Sequence, residues 1–243
     1  MRVAIVQPSY IPWRGFFDMI RSVDLFLVFD DVQYTRRDWR NRNRIKTAAG
    51  PRWLTIPVHR HAREEIIRNI AICYEPDWRA EHLNLLRVWY GRTPFYERYA
   101  SRFADILATR PESLCDLDIA LIRWLMEELG ITTAVERTSR LPVTGAKTDR
   151  LLALLGRVGA TDYLSGPAAK DYIDPDAFRR AGVGLCYKRY DYAAYPQPWG
   201  DFLDFMSVLD LLFNTGPDAP SHLRTLTGDE RVVPVRPPVG IVR

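Results

Sequence analysis

The chain has 243 residues, 47% of them hydrophobic and 26% charged, a balance that fills a core of ordinary size and excludes a disordered segment, a coiled coil or a disulfide miniprotein. No apolar run approaches the roughly 18 residues that a bilayer span requires, and the opening MRVAIVQPSY reads as a buried strand rather than a secretion signal. No membrane span is therefore expected, and the expected compartment is the cytoplasm. The formal charge of +4 conceals thirty arginines against four lysines, which reads either as a compositional habit or as a preference for anionic ligands gripped by planar guanidinium groups. Cys73, Cys115 and Cys186 are odd in number and lack a CxxC pair, so they read as buried thiols rather than a zinc site or a disulfide framework.

The run VAIVQ at 3–7 ends at Pro8, and Phe16, Phe17 and Ile20 then follow at helical spacing. The next apolar run, DLFLVFDD at 24–31, has the character of a strand buried on both faces of a parallel sheet. Together they predict a βαβ unit. In such units ligands bind beyond the carboxyl ends of the strands, which here carry Gln7-Pro8-Ser9-Tyr10 and Asp30-Asp31-Val32-Gln33.

Residues 34–46 hold six arginines or lysines and one acid, and lead into a predicted strand at 53–58 and another at Ile66 to Ile72. Three helices follow: one from Trp78 to a stop at Gly91, one after Pro94, and one from about Ser113 to Leu129. Beyond them the pattern gives a helix starting near Thr148, a strand from Asp162 to Ser165, and a helix from about Pro175 to Ala181 ended by Gly182. A strand at 183–190 and a helix at about 201–214 complete the order, and the segment from Asp218 reads as an extended tail. The expected architecture is α/β, with a mostly parallel sheet flanked by helices and a helical insertion at about 76–130. A single domain over 1–217 and a tail at 218–243 are expected.

Several groups have the chemistry of a site. Asp30 and Asp31 at a strand end read as a magnesium ligand, as a general base, or as ordinary terminators that cap the following turn. Gln33, Asn41 and Arg42 suit sugar hydroxyls, carboxylates or phosphates. The basic run with Tyr34 and Trp39 has the composition of a nucleic-acid patch, but the modest net charge favours a solvated arginine face or a small anionic ligand, and no nucleic-acid partner is expected. His59 and His61 read as a polar turn before they read as a metal pair, and no metal site is expected. Ser165-Gly166, followed by Lys170-Asp171-Tyr172, leaves a strand at its carboxyl end and faces either the same crevice or an ordinary loop. Ser207, Asp210 and Asn214 make a polar stripe that suits a buried hydrogen-bond network. No cofactor is named by these residues.

The segments QPSYIPWRGFFDMI, DLFLVFDDVQYTRRDWRNRNRI and WLTIPV, with EPDWRAEHL, TDYLSG and SVLDLLFNTG further on, resemble the WbqC-like protein family over roughly residues 3–217. The family is bacterial and associated with surface-polysaccharide and other amino-sugar pathways. The resemblance implies a biosynthetic transferase that moves an acyl or aminoacyl group to an amine. It also raises His82, which otherwise reads as a core histidine on the Trp78, Leu86 and Trp89 stripe, to a general base. In this reading Asp30 and His82 catalyse, while Gln7, Tyr10, Trp13, Gln33, Trp39, Asn41, Arg42, Ser165 and Gly166 bind a small-molecule substrate such as a nucleotide sugar or an acyl thioester, with a carrier protein as a further source of the thioester.

The first strand, loop and helix also distantly resemble nucleotidyltransferases of the HUP class. Here Trp13-Arg14-Gly15-Phe16 stands where that class carries HxGH, so both histidines are aromatic, and Arg14 and the helix N-terminus remain as anion binders. A nucleotide-dependent ligase or nucleotidyltransferase relative is the second reading. A non-catalytic scaffold subunit of a biosynthetic complex is the third.

Overall fold

The computed structural model describes residues 1–235. Its sheet begins with β1 (Arg2–Val6), helix α1 (Arg14–Arg21) and β2 (Leu25–Val28), the predicted βαβ unit, with Val3 opposite Leu25 and Val6 opposite Val28 in parallel register. A hairpin of β3 (Arg42–Thr47) and β4 (Gly50–Thr55) follows, then α2 (Trp78–Tyr90), α3 (Tyr96–Ala108) and α4 (Leu114–Glu128), the helical insertion. Asp77 and Ser113 accept backbone N–H groups at the starts of α2 and α4, the side-chain caps that such starts require.

The chain then returns to the sheet with β5 (Ala134–Arg137), α5 (Lys147–Arg157), β6 (Asp162–Ser165), α6 (Pro175–Ala181) and β7 (Gly184–Tyr187). Gly182 ends α6 at φ 70°, a left-handed conformation that glycine adopts without steric cost. Helix α7 (Val208–Thr215) and β8 (Glu230–Val233) close the order. The six strands run β5-β2-β1-β6-β7-β8, all parallel except β8, which pairs antiparallel with β7.

Alternate strand residues feed two cores. Ala4, Phe26, Val28 and Leu164 pack with α1, the hairpin and the α2–α4 insertion, whereas Val3, Ile5, Leu27 and Tyr163 pack with α5 and α6. Strands buried on both faces in this way need apolar residues throughout, as β2 (LFLV) has.

Besides β5, which lies in a stretch where the sequence reading gives no strand, four segments differ from the sequence expectation. Residues 42–46, read as part of a basic run, form a strand in which Asn43 and Ile45 are buried while Arg42 and Arg44 point outward. Ile66 to Ile72 is a 3-10 turn at Ile67–Asn69 instead of a strand, because its N–H groups bond Val32, Asp30 and Glu112 carbonyls. The last helix starts at Val208, capped by Ser207, since Ser207 and Val208 donate to the Arg44 and Pro12 carbonyls and hold 201–207 out of helical geometry. The segment after 217, expected as an extended tail, continues a 3-10 helix over Gly216–Leu223 and supplies β8; the end of that expected tail, 236–243, lies outside the described residues. No described helix is long and apolar enough to cross a membrane.

Candidate functional site

From β1 the chain leaves in one direction through α1 to β2, and it comes back on the other side as β6. The β1/β6 boundary is therefore the topological switch point, where open parallel sheets leave a crevice. A cleft of about 690 Å³ opens there. Gln7 and Ser9 after β1, Trp13 just before α1 and Phe16 in its first turn, and Ser165–Ala169 from the end of β6 onward line it. Asp38, Trp39, Arg40 and Asn43 form one wall, and Tyr172, Tyr190 and Phe205 close the others.

Arg40 is the cleft's cation. It donates to Gln7 Oε1, lies 4.0 Å from Asp38, and leaves its Nε without a partner. Burial lowers its pKa, against the attraction of Asp38 and Asp118. A largely buried guanidinium with hydrogen-bonding capacity to spare suits an incoming phosphate or carboxylate.

Trp13 lies between Phe205, at 4.6 Å between ring centroids, and Tyr190, at 4.9 Å. Its indole lies across Gly15 so closely that a Cβ there would meet the ring at 2.3 Å, so residue 15 must be glycine for Trp13 to line the cleft. Asn43 donates to the carbonyls of Tyr10 and Ile11 at 3.0 and 2.9 Å, and the Tyr10 N–H donates to the Trp39 carbonyl at 3.1 Å. The two loops that supply Ser9 and Arg40 are thereby clamped together.

Gln7, Trp13, Trp39, Ser165 and Gly166 meet in this cleft, and the other expected site residues do not line it. Asp30 is fully buried and joins the ends of β2 and β5: it accepts from Arg137 Nε at 2.7 Å, Ser139 Oγ at 2.8 Å and the Ser139 N–H at 3.0 Å. Burial raises its pKa, but these bonds outweigh burial and hold the carboxyl below its ordinary value. Asp31 pairs with Arg150 at 2.7 Å and accepts from Thr138 at 2.6 Å. Tyr10 and His82 are buried together, with the hydroxyl 2.9 Å from Nδ1, against Trp78. Burial pushes the His82 pKa down to about 4, against a backbone hydrogen bond with Thr55 that favours the charged form.

Gln33 donates to the Arg63 carbonyl, Asn41 to the Ile56 carbonyl, and Arg42 stacks on Trp53 on the outer face of the hairpin. Arg14 turns away from the cleft to the Ala193 carbonyl and Asp204, under the ring of Tyr192. Lys170 pairs with Glu230. Asp210 accepts from Tyr90, Tyr195 and Gln197, each at 2.7 Å, the buried network expected of its stripe. Among the described residues no three His, Cys, Asp or Glu side chains converge as metal ligands, and the three cysteines are free thiols.

Arg40, Asp38, Tyr190 and Phe205 were not singled out by the sequence. Arg40 is one of six cations in its run, and nothing local separates it from Arg42, which faces outward two residues later. Tyr190 and Phe205 come from loops far along the chain. Asp118, also missed, is fully buried with both carboxylate oxygens lacking hydrogen-bond partners among the described residues.

A protein of Mycobacterium tuberculosis (strain ATCC 25618 / H37Rv), the uncharacterized protein Rv1507c, is 40% identical over 231 residues, covering 92% of this chain and 97% of that one. No solved structure matches. The model described as "WbqC-like protein family" matches residues 7–222, from the first cleft glutamine to the 3-10 helix that follows α7, and on that extent the chain belongs to the WbqC-like protein family.

Proposed function

We propose that this chain is a biosynthetic transferase that binds an activated acyl or aminoacyl thioester in the β1/β6 cleft and passes the acyl group to an amine. The observation that carries the reading is the partly unsatisfied Arg40 guanidinium, held by Gln7 in the cleft that Trp13, Trp39 and Tyr190 also line, at the switch point of the sheet. Arg40 binds an anionic group of the donor, and the rings cover its apolar portion and exclude water. The incoming amine nitrogen bonds the thioester carbonyl carbon as the carbon–sulfur bond breaks, and the departing sulfur takes the proton that the amine gives up. Asp38 is the carboxylate within the cleft, and we assign it the amine. Asp30 and His82 act in this reading through the loops they hold, as positioning residues.

A second reading, a nucleotide-dependent ligase or nucleotidyltransferase relative, draws on the position of the cleft at a strand end and the N-terminus of α1, where phosphates are bound in open parallel sheets. One titration separates the two. Acetyl-coenzyme A, acetyl-pantetheine, nucleotide sugars, ATP and CTP, each with and without magnesium, are tested for thermal stabilisation of the wild type and Arg40→Ala. A ligand at about one hundred times its Kd stabilises by roughly 2.7 kcal/mol. The expected result is a shift with the thioesters that weakens at least about tenfold in Arg40→Ala. A shift with ATP or CTP alone replaces the transferase by the nucleotide enzyme, and a silent panel leaves the scaffold reading.

A further inference from the structure

The outer face of the β3–β4 hairpin carries a continuous row of arginine and aromatic side chains that ends at the cleft mouth. Arg42 lies over Trp53 at 4.2 Å and donates to the Arg37 carbonyl. Arg44 sits over both Trp39 and Trp53, at 5.4 and 5.7 Å, and donates to the Phe205 carbonyl at 3.4 Å. Trp39 and Phe205 are themselves cleft-lining residues. They are also exposed: Trp39 is 37%, Trp53 41% and Phe205 46% accessible. Arg36, Arg37, Arg42 and Arg44 form no ion pair with any described residue, although many arginines elsewhere in the chain are paired.

Three properties of the row restrict what it takes. Free indole faces suit sugar rings or nucleobases, but here guanidinium groups already cover them. Arg42 and Arg44 are held over the indoles, each with one NH2 on a backbone carbonyl, and neither has a carboxylate partner among the described residues, so the row keeps a positive charge that suits carboxylates. The row also meets the cleft, so whatever docks on it stands beside the donor site. A surface of unpaired cations with apolar rings between them is complementary to an acidic, partly apolar protein face, and such charge pairing chiefly accelerates and orients encounter.

We propose that the row formed by Arg42, Arg44, Trp39 and Trp53, with the exposed Arg37 whose carbonyl bonds Arg42 beside it, is the docking surface for an acidic carrier protein that presents its thioester arm to the adjoining cleft. The proposal rests on the thioester reading given above and names the source of the donor. It makes the carrier's surface, and not only its arm, a determinant of recognition.

The test uses a purified acidic acyl carrier protein in three forms, without its arm, with a free arm and with an acetylated arm, each fluorescently labelled, and acetyl-pantetheine as the detached donor. Fluorescence anisotropy is measured with the wild type and with Arg37→Glu/Arg44→Glu at two ionic strengths. The expected result is binding of all three forms, weakened at least about tenfold by the charge reversal and reduced by salt, while acetyl-pantetheine binds the variant as it binds the wild type. Circular dichroism and melting confirm that the variant is folded, and Trp53→Ala tests the row independently should it unfold.

Wild-type affinity in both variants overturns the proposal, as does a carrier that binds only through its arm. Equal competition by a single-stranded oligonucleotide of matched charge also overturns it, because the surface is then a general anion binder. Acetyl-pantetheine binding without carrier binding rejects the docking surface and leaves the transferase reading intact. Binding of the armless carrier without acetyl-pantetheine binding supports the surface and rejects the thioester cleft.

Discussion

Replacing Asp30 by asparagine separates a structural carboxylate from a catalytic one. In the wild type Oδ2 accepts from Arg137 Nε at 2.7 Å and Ser139 Oγ at 2.8 Å, and Oδ1 accepts from the Ser139 N–H at 3.0 Å. Hydrogen bonds to a charged group are worth about 1.5–3 kcal/mol each. Asparagine keeps a carbonyl for the Ser139 N–H but turns an NH2 group toward the Arg137 and Ser139 donors. Removing one partner of a fully buried ion pair costs about 3–5 kcal/mol. Arg137 is only partly buried and keeps Asp116 at 2.6 Å, so the expected loss is smaller, about 2–3 kcal/mol.

For a chain of this length that corresponds to a fall in Tm of roughly 5–10 °C. The sign of the pH dependence follows from the depressed carboxyl. Its stabilisation is fully present above the unfolded pKa of about 3.9 and is lost as pH falls through the lower folded value. Below about pH 4 the wild type therefore loses more stability than the variant. Thermal melts by circular dichroism from pH 7 to pH 3 measure this, and thioester titration well below the variant's Tm measures its affinity, expected to match the wild type. An unchanged Tm together with lost turnover would falsify the structural assignment and return Asp30 to the reaction.

His82 gives a second pH signature. Its folded pKa, pushed down to about 4, lies below the unfolded value of about 6.5, so the unfolded chain binds the proton more readily and stability falls as pH drops through that window. The contribution is about 2 kcal/mol between pH 7 and pH 5. Urea denaturation at the two pH values should show it in the wild type and not in His82→Asn, and an imidazole that titrates near 6.5 by NMR refutes it. Gly15→Ala forces a methyl against the Trp13 indole, and the resulting overpacking should cost about 1–3 kcal/mol and displace a cleft wall. Melting and donor titration together check this, and an alanine variant with wild-type stability and affinity shows that the indole does not need that position.

By itself the sequence determined the layered framework. Apolar runs of four to five residues such as VAIV and LFLV, helices with apolar stripes, and stops at Gly91 and Gly182 are local consequences of burial and backbone freedom. The parallel pairing of the first two strands and the region of the crevice follow from them, because a strand–helix–strand unit has few ways to pack. Partner choice among polar groups was decided only by the tertiary structure. Asp30 and Arg137 are 107 positions apart in the chain, and Tyr10 and His82 are 72 apart, so neither carries a local trace of its partner. In the basic run, whether a cation faces a cleft or solvent depends on how the loop enters β3. That entry is set by Asn43 clamping Tyr10 and Ile11, so Arg40 reaches Gln7 while Arg42 and Arg44 turn to the outer face. Burial of apolar surface is averaged over many weak contacts and survives in the pattern of residues, whereas a hydrogen bond or ion pair depends on two particular groups meeting within about 3 Å, which folding of the whole chain alone arranges.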